Sequence, residues 1–141
     1  MTEGLQKFAG KWKLVRSENF EALLDVMGLN FVMKKMLKLM SPSQNIVVNE
    51  DGSVNIKLHS GPVTQDMTFR LDEEFEYDQR NIKIKAKCHM EGEKLIMHQS
   101  PDPSSGVKPQ TMTREITSDG ELVQSIQCED VVAKRYFQRA S

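Results

Sequence analysis

Beyond Pro42 apolar and polar residues alternate one by one through most of the chain, the spacing of strands with one face turned inward. The clearest run is Ile82-Lys83-Ile84-Lys85-Ala86-Lys87-Cys88, with lysines on one side and apolar groups on the other. Strands are predicted over 44–49, 54–59, 67–71, 75–77, 82–89, 94–99, 110–116, 122–127 and 131–138. Turn signals separate them: Asp51-Gly52, Gly61-Pro62, Glu91-Gly92, the run Pro101 to Gly106, and Asp119-Gly120. An earlier strand is predicted over 8–15, with Phe8, Gly10, Trp12 and Leu14 sharing a face. Between it and Pro42 the period changes to that of a helix. Ser17 is the expected N-cap, Phe20, Leu23, Leu24 and Met27 recur at helical spacing, and Gly28 stops the run. A second helix sets Phe31, Met36, Leu37 and Met40 against Lys34, Lys35 and Lys38, and ends at Ser41-Pro42. Evenly spaced one-faced strands predict an all-β fold, a closed antiparallel barrel or a sandwich. Closure would also remove exposed strand edges.

The inward faces are apolar but not uniformly so. They carry Ile56, Leu58 and Ser60 on one strand, Met67 and Phe69 on the next, and Met97 with Gln99 further on. Gln124 and Ile126 share a face, as do Met112 and Arg114, and so do Arg135 and Phe137. A solid core rarely collects so many hydrogen-bonding groups, whereas a cavity holding water and an amphipathic ligand would use them. The arginines weigh most. A guanidinium stays charged, so an interior face tolerates one only where something anionic meets it. By parity alone that partner is an internal carboxylate, a wet rim or an acidic ligand, and all three stay open.

Composition narrows the picture. The chain has 141 residues, enough for one domain over 1–141 and too few for two. A net charge of −1 gives no general attraction to nucleic acid. Met1 to Lys7 lacks the apolar run of a signal peptide, and no stretch approaches membrane-spanning length. Cys88 and Cys128 sit in strand-like runs without metal-ligand spacing and are expected to be free, buried thiols. His59, His89 and His98 fall out of phase with the apolar faces and are expected at the surface. No nucleophile constellation, metal spacing or phosphate loop appears, so neither catalysis nor a cofactor is expected.

One stretch is more specific: Gly10-Lys11-Trp12-Lys13-Leu14-Val15-Arg16-Ser17-Glu18-Asn19-Phe20-Glu21-Ala22-Leu23-Leu24. With Glu74-Phe75 and the ending Val131-Val132-Ala133-Lys134-Arg135, it resembles the intracellular lipid-binding proteins, the cytosolic fatty-acid and retinoid carriers. The resemblance implies a ten-stranded antiparallel up-and-down β-barrel, or β-clam. A helix-turn-helix lid, over about 17–40, lies between its first two strands. It also implies one internal site where a lipid carboxylate meets two arginines and a tyrosine. Arg114 and Arg135 match the arginine positions. Phe137 occupies the tyrosine position, and Tyr136 faces outward by parity, so one hydroxyl is missing from the head-group site. Phe20, Leu24, Leu29, Met33 and Leu37 would line the lid side, with the inward residues named above lining the rest. Two departures are visible: Gly61-Pro62-Val63 replaces an aromatic gate, and the Pro101 to Gly106 loop is long and proline-rich.

The expected function is therefore a monomeric cytoplasmic carrier of a long-chain fatty acid or related lipid. The alternative is a retinoid, bile-acid or fatty-amide carrier delivering its ligand to a nuclear receptor. Basic residues on the second lid helix, Lys34, Lys35 and Lys38, would make the transient membrane or nuclear-import contact implied by the family. The rival of another class is a lipid-modifying enzyme working through Cys128, against which stands the absence of any base beside that thiol.

Overall fold

The structure is a computed structural model that describes residues 3–60, 63–79 and 81–140. A short 3-10 helix, Glu3–Phe8, precedes strand β1, Gly10–Glu18. Two helices follow, α1 (Phe20–Val26) and α2 (Phe31–Leu39). The remaining strands are β2 (Ser43–Val48), β3 (Val54–Ser60), β4 (Val63–Phe69), β5 (Glu74–Gln79) and β6 (Ile82–Glu91). They continue as β7 (Lys94–Pro101), β8 (Gln110–Ile116), β9 (Leu122–Cys128) and β10 (Val131–Arg139). All ten join one antiparallel sheet in the order β4-β3-β2-β1-β10-β9-β8-β7-β6-β5. The meander closes where β1 pairs with β10, so only β4 and β5 remain as edges. These two meet at a seam with no strand pairing among the described residues, leaving a nearly closed barrel.

Alternation in the sequence becomes alternation in burial. Along β6, Ile84, Ala86 and Cys88 are buried while Lys83, Lys85 and Lys87 are exposed. One end of the barrel is solid, packed by Phe8, Trp12, Val54, Phe69 and Leu95 among others. The Trp12 indole N–H donates to the Phe8 carbonyl at 2.8 Å, and the Arg139 guanidinium lies 4.3 Å over the indole ring. The other end is looser and capped by the helices. There Leu23 packs with Ile126, Cys128 and Ala133.

Two expectations near the first strand need correction. Phe8 belongs to the 3-10 helix and not to the strand. Ser17 is not a helix cap but part of β1, and the residue before α1 is Asn19, whose side-chain amide donates to the Val132 carbonyl at 3.0 Å. The reason is a bulge. The register of β1 against β10 slips between Leu14 and Arg16, so Val15 is an extra residue. An unpaired residue reverses the parity beyond it. Arg16 therefore stacks outside on Tyr136, with 3.9 Å between guanidinium and ring, and Ser17 is brought opposite Arg135.

The lid is held by polar stitches rather than by strand pairing. The Asn30 side chain accepts from the Met33 N–H at 2.8 Å and starts α2. Lys34 pairs with Asp25 at 3.6 Å, and Lys38 with Glu21, joining α2 to α1. The proline-rich loop also participates, because the Lys108 N–H donates to the Met27 carbonyl at 3.0 Å. Gly28 follows with φ +90°, and a β-carbon there would stand 2.5 Å from the Gly106 carbonyl oxygen. Both facts demand glycine. Gly28→Ala is expected to lower stability by about 2 kcal/mol, from left-handed strain and the displaced loop. Urea unfolding checks this, and an unchanged midpoint would remove the loop from the lid's support. Gly61 and Pro62, expected in place of an aromatic gate, lie outside the described residues.

Candidate functional site

Beneath the lid lie two adjoining chambers. The larger, about 180 Å³, is bordered by Leu58 and Ser60 on β3, Gln124 and Ile126 on β9, and Arg135 and Phe137 on β10. The lid chamber, about 120 Å³, is bordered by Phe20, Leu29 and Met33 of the helical region and by Ile82 and Ile84 of β6. Leu37, Gln79, Met112 and Ile126 border both, so the two form one bent space.

The sequence-predicted lining residues therefore divide in two. Phe20, Leu29, Met33, Leu37, Leu58, Ser60, Met112, Gln124, Ile126 and Phe137 border a chamber. Ile56, Met67, Phe69 and Met97 pack in the solid core, Leu24 is a buried residue of α1, and none of the five borders either chamber. Gln99 is also buried outside both, its amide against the sulfurs of Met97 and Met112 at 3.2 and 3.5 Å.

The two arginines occupy different depths of one row. Arg114 pairs in register with Gln124, Gln124 with Arg135, and Arg135 with Ser17, so four strands present these side chains side by side. Arg135 borders the larger chamber and also an open groove between β1 and the lid. Its Nε donates to the Ser17 hydroxyl at 3.0 Å, and its guanidinium covers the Phe20 ring at 3.9 Å. Burial pushes its pKa down to about 10. Arg114 is 1% exposed and borders neither chamber. Its Nε donates to the Gln44 side-chain oxygen at 3.1 Å, and the Gln44 amide donates in turn to Gln124 at 3.0 Å. The Arg114 Nη2 has no hydrogen-bond partner among the described residues. Burial lowers this guanidinium's pKa as well.

Neither arginine meets a carboxylate among the described residues. Two desolvated positive charges on one row, without an internal counter-ion, make this end of the cavity favourable to an anion. Met112 and the amides of Gln44 and Gln124 complete a soft, polarizable wall.

Four further polar residues went unnoticed in the sequence. Gln44 has the parity of Ile46, Gln65 that of Met67, and Tyr77 and Gln79 that of Phe75, so counting every second residue would have found them. Tyr77 is buried and hydrogen-bonded with Gln65, and burial raises its phenol pKa, with the Arg114 charge partly offsetting this. Cys88 is pushed up to about 12 by burial, so it remains a thiol. Cys128 is also free, buried and raised by burial. The histidine rings of His59 and His98 are exposed and that of His89 is half-buried. No group of three or more histidine, cysteine or acidic side chains could hold a metal among the described residues, and none of their helices is long and apolar enough to cross a membrane.

Comparison with known proteins agrees with this architecture. Human cellular retinoic acid-binding protein 2 is 34% identical over 139 residues, covering 96% of this chain and 99% of that protein. A fatty acid-binding protein of Tyrophagus putrescentiae is 34% identical over 132 residues, covering 92% and 95%. Among solved structures, apo Caenorhabditis elegans lipid binding protein 8 superposes with a TM-score of 0.86 at 26% identity, covering 96% and 97%. Residues 9–140 match the family model described as lipocalin / cytosolic fatty-acid binding protein. The bent cavity, the helical lid and these matches place the chain in the lipocalin and cytosolic fatty-acid binding protein family, to which it belongs as a non-enzymatic lipid-binding protein.

Proposed function

We propose that this protein is an intracellular carrier of a long-chain fatty acid, with the carboxylate at the Arg135 end of the cavity and the tail under the lid. The observation that carries the reading is Arg135 itself, a half-buried guanidinium on the cavity wall with no carboxylate partner among the described residues. Each methylene moved out of water contributes about 0.8 kcal/mol, so the tail supplies most of the affinity. The charge supplies selectivity, because a buried carboxylate needs charge-assisted hydrogen bonds to replace its hydration. Arg114 acts one step behind, through Gln44 and Gln124, or directly once those amides move. Phe137 in the tyrosine position removes a phenol from this site, leaving the hydroxyls of Ser17, on Arg135, and Ser60, on the chamber wall. Native mass spectrometry of the purified protein tests the assignment. A co-purifying long-chain acid is expected, and a neutral lipid in its place would contradict it.

A second reading has specific support in the 34% identity to human cellular retinoic acid-binding protein 2. Retinoic acid presents the same carboxylate on a stiffer tail, so Arg135 would serve either ligand. Competition between oleate and retinoic acid separates the two by the shape of the apolar chambers.

The lid supplies a contact surface. Phe31 and Leu39 are 75% and 80% exposed, and Val32 and Lys35 are exposed beside them on α2. Lys34 and Lys38 are engaged with acids of α1, whereas Lys35 forms no ion pair among the described residues. Apolar tips flanked by lysine suit brief contact with an anionic bilayer, where a lysine contributes about 1 kcal/mol. Replacing Lys34 and Lys35 together by glutamate should slow lipid transfer to anionic vesicles at least about fivefold and reduce the nuclear fraction. Unchanged transfer and distribution would dismiss the basic helix as a docking element.

A further inference from the structure

The cavity has a polar wall opposite the arginine row. In sheet order, five strands separate the β9–β10 boundary from each edge, so β9 and β10 lie diametrically across from the β4–β5 seam. The larger chamber runs between them, bordered by Gln124 and Arg135 on one side and by Gln65 and Gln79 on the other. Gln65 on β4 shares a side-chain hydrogen bond with Tyr77 on β5. Gln79 stands where the larger chamber turns into the lid chamber. A chain that starts at Arg135 and ends under the lid must pass these two amides.

A plain hydrocarbon passing them would strip their water and return nothing, which is unfavourable for half-buried amides on a cavity wall. An amide both donates and accepts, so it can meet a hydroxyl or a ketone equally well. Ten strands about 4.8 Å apart and tilted about 40° make a ring roughly 20 Å across, and side chains reaching in from both walls leave roughly half of it. That span places the meeting point in the middle of a long chain, remote from the carboxylate.

We propose that Gln65 and Gln79 form a second polar subsite at the seam, so that the preferred ligand is a long-chain acid bearing a mid-chain hydroxyl or keto oxygen. This rests on the carrier reading above and narrows it.

Calorimetric titration of the delipidated full chain with oleate and with ricinoleate, its analogue carrying one mid-chain hydroxyl, tests the subsite. Ricinoleate is expected to bind about fivefold more tightly, the worth of one neutral hydrogen bond. In the Gln65→Leu, Gln79→Leu double variant the ratio of the two affinities should fall to about one or below. Oleate binding with no ricinoleate advantage in the wild type overturns the subsite and leaves the carrier reading standing, and so does an advantage that survives the double substitution. Failure of both acids to bind overturns both. The wild-type comparison requires no substitution, so a variant that misfolds does not decide the matter.

Discussion

Arg135→Gln should weaken oleate binding by about ten- to a hundredfold while leaving the affinity for oleyl alcohol nearly unchanged. The lost interaction is a charge-assisted hydrogen bond to a carboxylate, about 1.5–3 kcal/mol. An alcohol never made that bond, and glutamine can still donate to it. The unliganded variant should also unfold at a higher urea concentration than the wild type. Burial holds the Arg135 pKa below its ordinary value, so the folded state binds this proton less tightly than the unfolded chain does. For a base shifted in this direction, stability rises with pH from about 10, the folded value, up to the ordinary arginine range of the unfolded chain. At neutral pH the charge is therefore a burden on the empty protein, and an anionic ligand relieves it. Competition binding with the two lipids is the check. Equal losses for acid and alcohol would show that Arg135 shapes the wall without reading the head group.

Arg114→Met is expected to stabilise the unliganded protein by about 1–4 kcal/mol, the range seen when buried charged groups give way to apolar ones of similar volume. The Arg114 guanidinium is buried, has no acid beside it among the described residues and leaves Nη2 without a partner. Methionine would retain much of the volume between the paired residues Leu95 and Gln124, at the expense of the single bond to Gln44. Oleate affinity should fall at the same time, because the remaining guanidinium works alone. Chemical denaturation of the delipidated variant, paired with a titration, reads both effects. A variant less stable than the wild type would mean that Arg114 is needed to hold Gln44 and Gln124 in place. Stability and ligand affinity moving in opposite directions is the signature of a charge kept for binding.

The fold was largely written in periodicity. Alternation as regular as that of β6 leaves little choice of element. Evenly spaced turns, however, suit a barrel or a sandwich alike, and it was the resemblance carried by Gly10 to Leu24 that implied the ten-stranded meander. The helical pair was equally plain, because Phe20, Leu23 and Leu24 cannot share a face in a strand. What escaped has definite causes. The bulge at Val15 carries no glycine to announce it, and it converts Ser17 from an expected cap into the partner of Arg135. Parity reports which face a residue occupies but not its height along the barrel. Ile56 and Leu58 illustrate the point, alike by spacing, yet one lies in the solid end and the other on the chamber wall. The same blindness to height hid the difference between Arg114 and Arg135. Glutamines at 44, 65 and 79 were overlooked because the inward sets were read from their apolar members.

The bond from the Lys108 amide to the Met27 carbonyl crosses from the β7–β8 loop to the end of α1. Any excursion that swings α1 away from the barrel rim must break it and expose that N–H to solvent. Deuterium uptake at this single amide therefore serves as a clock for uncapping, readable without any ligand present. Should its exchange rate match the rate at which lipid enters, the doorway is the helical end of the molecule and the seam between the edge strands stays shut.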